Sequence, residues 1–329
     1  MACISGATVL PYGLLSRLHQ IRRRVEPALR RAIGDSAPSW TREPNVLPWF
    51  DRPDALARLD GDPQATLLRQ WVDEGWIVVD DVVDVADIDA MVATLDGLWD
   101  AAAPIPHLTL LDLRDAPDAP PRNVGHAELR AIDPARRARM RDASDWRIHG
   151  FHYVNAPARR LARSPALRAL ATRLFGRRAR PFAVINFMKG SRQHLHQDMG
   201  VFHIYPHDYL IGAWIACEDI APDSGPLLLY PGSHRAPFFP GFTDYPQTNL
   251  RTADAALAAA YERYVEEVAG RYPRREFLAR KGQVLLWHGM LVHGGAPVTR
   301  PGASRKSMVI HYTVRGADRA KEIRGPVRW

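Results

Sequence analysis

Cysteine is scarce in this sequence: only Cys3 and Cys217 occur in 329 residues. Two thiols cannot build a disulfide framework, and a reducing cytoplasm is the expected compartment. Lysine is nearly as rare, found only at Lys189, Lys281, Lys306 and Lys321, so arginine carries almost all of the positive charge. No stretch approaches the ~18 consecutive apolar residues of a membrane-spanning helix. The first residues have no basic n-region and their apolar run breaks at Pro11, so no secretory leader is expected. No internal repeat is visible.

What is present is ordinary for a globular chain: 46% hydrophobic and 24% charged residues, enough for one large domain or two small ones. The net charge of +8 and pI of about 9.8 would suit a nucleic-acid binder on charge alone. Arginine and alanine are abundant along the whole length, however, which points to a general compositional bias. Nucleic acid is not an expected partner.

Residues 1–50 read as an accessory segment. Leu14, Leu15, Leu18, Ile21, Val25, Leu29 and Ile33 recur at near-helical spacing among arginines, and Pro38, Pro44 and Pro48 mark a linker. Residues 51–329 read as one domain. A helix over 65–76 closes at Gly75. A short strand follows at 76–79, then a helix capped by Asp84 or Asp87 that runs to about Trp99. Residues 101–145 carry many Pro, Asp and Arg without a period, and read as loops with a short helix lying over the mouth of the site. A helix over 165–175 precedes a strand over 181–188. From 199 to 291, short apolar runs alternate with turn residues, the pattern of a sandwich or jelly roll. Strands are expected at 209–216, 227–230, 284–287 and 308–314, so the core strands span about 180–315. An insert over about 235–280 combines a helix at 253–268 with an aromatic part around Phe238, Phe239 and Phe242, which hints at an apolar or ring-bearing substrate.

The chemistry concentrates in Gln193-His194-Leu195-His196-Gln197-Asp198. If this segment is a strand, positions i and i+2 share a face, so His196 and Asp198 converge. Two histidines and one carboxylate with the remaining positions open are the ligand set of non-haem Fe(II) oxygenases. His293 can supply the third ligand; His194 and His288 compete for the two histidine places. Twelve residues beyond His293 stands Arg305, whose guanidinium fork suits a carboxylate.

The stretch from Gly190 to Asp198 resembles the G-S-x-Q-x-x-H-x-D signature of phytanoyl-CoA dioxygenase-like proteins. The similarity continues through Trp214 to Ile220, Asp223 to Leu227, Tyr230 to Arg235, Leu291 to Gly295, and Arg305. The resemblance implies a mainly β protein with flanking helices around a double-stranded β-helix (jelly-roll, cupin-like) core. It implies Fe(II), with 2-oxoglutarate and O2 as co-substrates. It assigns the metal to His196, Asp198 and His293, and treats His234 as a turn residue. It places Arg305 on the far carboxylate of 2-oxoglutarate and puts Gln193 and Trp214 along the co-substrate. Gly295 stands where some members carry a serine, leaving Ser307 as the substitute. The implied reaction is hydroxylation of a small organic, natural-product or lipid-like substrate, with release of succinate and CO2. A non-catalytic cupin-like binding protein, or the same oxidant used for desaturation, epoxidation or epimerisation, are the alternatives.

Overall fold

The β-branched and aromatic runs pair into two antiparallel sheets that face each other. The computed structural model describes residues 54–314 and 317, apart from 191–192, 203, 205–207, 243–249 and 251–252. The expected basic helix within residues 1–50 lies outside the described residues. In chain order the elements are α1 (Ala65–Glu74), β1 (Trp76–Val79), α2 (Val85–Leu95), β2 (Thr109–Leu113), β3 (Arg122–Gly125), α3 (His126–Ala131) and α4 (Pro134–Ala143). There follow β4 (Arg147–His149), α5 (Phe151–Val154), α6 (Ala156–Ala162), α7 (Pro165–Phe175), β5 (Ala179–Phe187), β6 (Ile211–Ala216) and β7 (Leu227–Leu229). The last are α8 (Ala255–Ala269), β8 (Arg275–Phe277), β9 (Val284–His288), β10 (His293–Gly295) and β11 (Ser307–Val314).

The large sheet has the order β1-β9-β6-β11-β5-β4-β2-β3, and the small sheet β10-β7-β8. This is the expected jelly-roll class. Its central strands are buried on both faces, and alternation decides which side chain goes where. On β11, Met308, Ile310 and Tyr312 join the core beneath the helices, whereas Val309 joins the core between the sheets. On β9, Leu286 goes outward and Leu285 and Trp287 inward. Side-chain oxygens of Asn155, Ser164 and Asp254 accept backbone N–H groups at the starts of α6, α7 and α8, as helix N-caps do. Gly75 ends α1 in the left-handed conformation, as its place after the apolar stripe predicts.

Three expectations are corrected. Residues 101–145 are not mainly loops: β2 and β3 lengthen the large sheet, and α3 and α4 follow them. Asp112 and Asn123 are poor strand formers, so these strands owe their existence to the pairing of β2 with β4 and of β3 with β2 rather than to propensity. The stretch around His196 is no full strand; His196 forms an isolated bridge, and Asp198 opens a single 3-10 turn. The expected insert also contains β8, which is an edge strand of the small sheet.

The aromatic part of the insert has a structural role. Phe239 and Phe242 pack on Tyr261 of α8, with Phe238 against Phe242, and form a third small core. His234 is buried in its turn, where its Nε2–H donates to the Val72 carbonyl at 3.2 Å.

Two outcomes are expected from this packing. Ile310 is fully buried on the strand at the centre of the large sheet, whereas Leu278 is 48% exposed. Ile310→Ala should destabilise the chain by about 2–5 kcal/mol, and Leu278→Ala by no more than about 0.5 kcal/mol, read as urea midpoints at constant m. The second concerns acid. Burial pushes the His234 imidazole down to about 3, below its unfolded value near ~6.5. Between these values the unfolded chain binds the extra proton, so the stability from neutral His234 is complete above ~6.5 and lost as pH falls toward 3. His234→Gln, which keeps a donor for Val72, should make the acid slope of Tm shallower.

Candidate metal centre

The site begins with a backbone pairing. His196 N–H donates to the His293 carbonyl at 2.9 Å, and His293 N–H returns the bond to His196 at 3.0 Å. Residues that exchange both bonds face each other across an antiparallel pair and project to the same side. The two imidazoles therefore stand together, with ring centroids 4.4 Å apart. Each ring is oriented by its own chain: His196 Nδ1–H donates to the His194 carbonyl at 2.8 Å, and His293 Nδ1–H to the Leu291 carbonyl at 2.9 Å. A carbonyl only accepts, so both Nδ1 atoms carry the proton and both Nε2 atoms present a lone pair.

Asp198 reaches the same point from the 3-10 turn. Its Oδ1 lies 3.8 Å from both Nε2 atoms, and one ligand atom from each of the three residues lies within 4.8 Å of the others. The other oxygen, Oδ2, is held by the large sheet: Trp287 Nε1–H donates to it at 2.8 Å, and His311 Nε2 lies 3.4 Å away. Gly212 stands in register between Trp287 and His311 on neighbouring strands. A Cβ there would fall 2.3 Å from the Trp287 ring, so the glycine is what lets the indole lie flat and reach the carboxylate.

Electrostatics keep the donors ready. Burial, reinforced by neighbouring His293, lowers His196 to about 4, leaving it neutral near pH 7. Burial pushes the Asp198 carboxyl up, but His311 and His293 together outweigh it and hold it below the usual carboxylate range. Two imidazoles that turn Nε2 toward one carboxylate, all buried, fit a divalent cation with open positions.

These groups line one wall of a cavity of about 260 Å³. Of the other residues singled out by sequence, Arg305, Gln193 and Trp214 also line it. Arg305 is 1% exposed. Its Nη1 donates to the Gly225 carbonyl at 3.1 Å, and its guanidinium stands 5.9 Å from the Phe187 ring centroid. Burial lowers it to about 10, so it stays charged at neutral pH. Trp214 Nε1 has no partner among the described residues. Ser307 shares the Val309 face of β11 and is buried, but does not line the cavity. The competing histidines are elsewhere: His194 is exposed, and His288 ends β9 beside Trp71 and His234. Phe238, Phe239 and Phe242 are absent from the cavity wall.

Sequence reasoning missed Trp287 and His311 as holders of Asp198. The signal for His311 was the alternation on β11, which puts it on the Ser307 and Val309 face. The outer wall is made by Leu111, Asp112, Asn123 and Arg147, the first three from the 101–145 stretch. There the small sheet provides no cover: no residue of β4, β2 or β3 joins the core between the sheets. The β2–β3 register shifts between Leu110 and Leu113, and Asp112 sits at φ 60. Its carboxylate accepts Arg147 Nε–H at 2.6 Å, while the Arg147 guanidinium rests 5.6 Å from the Phe187 centroid.

A jelly roll with two histidines and a carboxylate turned into one cavity has the cupin-like architecture. The phytanoyl-CoA dioxygenase (PhyH) profile matches residues 71–307, and the chain belongs to that family. Rat peroxisomal phytanoyl-CoA dioxygenase is 31% identical over 124 residues, 38% of this chain and 34% of that protein. The matched stretch thus spans about a third of those relatives. Ectoine dioxygenase of Nocardia farcinica is 28% identical over 182 residues, 52% of this chain and 60% of that protein. Among solved structures, the epimerase SnoN in complex with Fe3+, α-ketoglutarate and nogalamycin RO superposes with TM-score 0.52 at 20% identity, covering 81% of this chain and 86% of that one. The α-ketoglutarate-dependent carbocyclase SnoK gives 0.54 at 16%, covering 79% and 87%. EctD from S. alaskensis with 2-oxoglutarate and 5-hydroxyectoine gives 0.51 at 19%, covering 75% and 74%. At these identities the structural likeness is one of fold.

Trp287→Phe keeps the ring and deletes the donor to Asp198. Groups that orient metal ligands are each worth about 10–100-fold in affinity, so Co(II) titrated against the variant by absorbance should bind that much more weakly. His288→Ala, whose ring lies on the other side of β9, should leave the affinity unchanged.

Proposed function

We propose that this protein is an Fe(II)- and 2-oxoglutarate-dependent dioxygenase that hydroxylates a small organic substrate. The observation that carries the reading is the convergence of His196 Nε2, His293 Nε2 and Asp198 Oδ1 in the same cavity as the buried Arg305 guanidinium. His196, Asp198 and His293 would hold the iron. When bound, iron with 2-oxoglutarate supplies the oxidising chemistry, and O2 is the second co-substrate.

The chain's own residues do the rest. Arg305 takes the far carboxylate of 2-oxoglutarate, because a buried guanidinium offers charge and paired donors without rearrangement. Trp214 and Gln193 flank that co-substrate, and the Trp214 N–H adds a donor. Ser307 does not line the wall, so Trp214 and Gln193 take over the role of the serine hydroxyl that some family members place at the Gly295 position. Substrate occupies the side that the small sheet leaves open. There Leu111, Val201 and Phe202 offer apolar contact, and the Arg147–Asp112 pair and Asn123 offer polar contact. Polar groups at that wall favour a substrate with oxygen or nitrogen functions near the reacting carbon over a plain hydrocarbon tail. Val201 and Phe202 crowd the metal side of the opening and keep water from the reacting centre.

The test is anaerobic addition of Fe(II) and 2-oxoglutarate, which should produce a weak visible charge-transfer band that O2 discharges with release of succinate. Zinc should give an inert complex. Arg305→Lys keeps the charge but loses the fork. The loss of one charged hydrogen bond, about 1.5–3 kcal/mol, should raise the 2-oxoglutarate midpoint roughly ten- to a hundredfold, and Arg305→Ala should be worse. Arg300 is half-exposed and paired with Asp223 at 3.0 Å, so Arg300→Ala should change nothing. Succinate released without O2, or an unshifted midpoint in both Arg305 variants, would sink the reading.

A further inference from the structure

The residue between the two metal-ligating positions is held by the insert. Gln197 is fully buried. Its backbone N–H donates to the Tyr261 hydroxyl at 3.0 Å, and the same hydroxyl donates to the Gln197 carbonyl at 3.2 Å. One phenol therefore grips both polar groups of a single residue's backbone. The Gln197 carbonyl has a second donor, Gly200 N–H at 2.8 Å, whereas the N–H relies on the tyrosine oxygen as its acceptor. The Gln197 side chain is fixed separately, through Nε2–H to the Met290 carbonyl at 2.8 Å, on the segment leading to His293.

A second observation gives the same contact from the other side. A Cβ on Gly200, at the end of the 3-10 turn that begins at Asp198, would fall 2.2 Å from the Tyr261 hydroxyl. The turn comes so close to the phenol that only glycine clears it. Tyr261 cannot swing away, since Phe242 stacks on its ring at 4.9 Å and Phe239 packs edge-on at 5.6 Å. It comes from α8, on the stripe that also buries Val265 and Val268, and does not line the cavity. Whatever it does for the site, it does through Gln197.

We propose that Tyr261 is a positioning residue of the metal centre: its clamp on Gln197 fixes the angle between His196 and Asp198, so the insert helix sets the affinity for the divalent cation. The proposal rests on the metal reading above and assigns the insert a role in building the centre rather than in recognising substrate. Backbone held at both N–H and carbonyl cannot rotate the peptides on either side, and those peptides lead to the two ligands. Loss of the hydroxyl frees that link and orphans a buried N–H.

The experiment titrates full-length protein with Co(II), following the d–d absorption, alongside thermal melts of the metal-free forms. Tyr261→Phe should bind Co(II) about 10–100-fold more weakly, the range for groups that orient ligands, with an altered d–d spectrum. Val265→Ala opens a hole on the same helix face without touching Gln197. It should lower the melting midpoint yet keep wild-type affinity and spectrum. Gly200→Ala disturbs the same contact from the turn and should mimic Tyr261→Phe; it decides the matter if the tyrosine variant does not fold. Wild-type affinity and spectrum in Tyr261→Phe, or in Gly200→Ala where that variant decides, overturns the proposal. So does a Val265→Ala loss as large as that of Tyr261→Phe. Wild-type protein that binds no Co(II) overturns the metal reading itself, and this proposal with it.

Discussion

Two backbone hydrogen bonds, exchanged between His196 and His293, are the constraint on which the site depends. They attach a segment with no sheet of its own to the edge of the small sheet. Because they form a reciprocal pair, they also settle which way both imidazoles face. The next bond outward, from each Nδ1 to a carbonyl two residues earlier, settles which nitrogen is left for a metal. Position and protonation thus both follow from main-chain geometry.

The carboxylate obeys a different sheet. Asp198 belongs by sequence to the His196 segment, yet its outer oxygen is tied to Trp287 and His311 on β9 and β11. The three donor atoms therefore come from one segment and its bridge partner, while the large sheet sets where the carboxylate points. Gly212 makes this possible by giving up a side chain in the row between the tryptophan and the histidine.

Much of this was legible in the sequence. The apolar runs at 76–79, 211–216, 284–288 and 307–314 are strands because they are β-branched and aromatic and bounded by turn residues. The H-x-D pair, His293 and Arg305 meet in one cavity. His196 and Asp198 do converge, but strand alternation does not join them; a bridge on one side and a turn on the other do. The rest was hidden for physical reasons. Trp287 and Asp198 are 89 residues apart, and Tyr261 and Gln197 are 64 apart, so no local pattern links them. β2 and β3 contain a residue at positive φ and a bulge, and tertiary pairing overrides their weak propensity. The phenylalanines of the insert suggested a ring-bearing ligand because aromatic clusters line both pockets and cores, and composition cannot tell the two apart.

The large sheet outgrows its partner. Its outer three strands lie beyond the covered core, held by their own ladder, and contribute Leu111, Asp112, Asn123 and Arg147 to the cavity. A substitution there alters one wall without entering the packing that carries the ligands. On the proposed reading, recognition and reactivity sit on separately mutable parts of one fold. The overhang can therefore be edited while the buried centre keeps its packing.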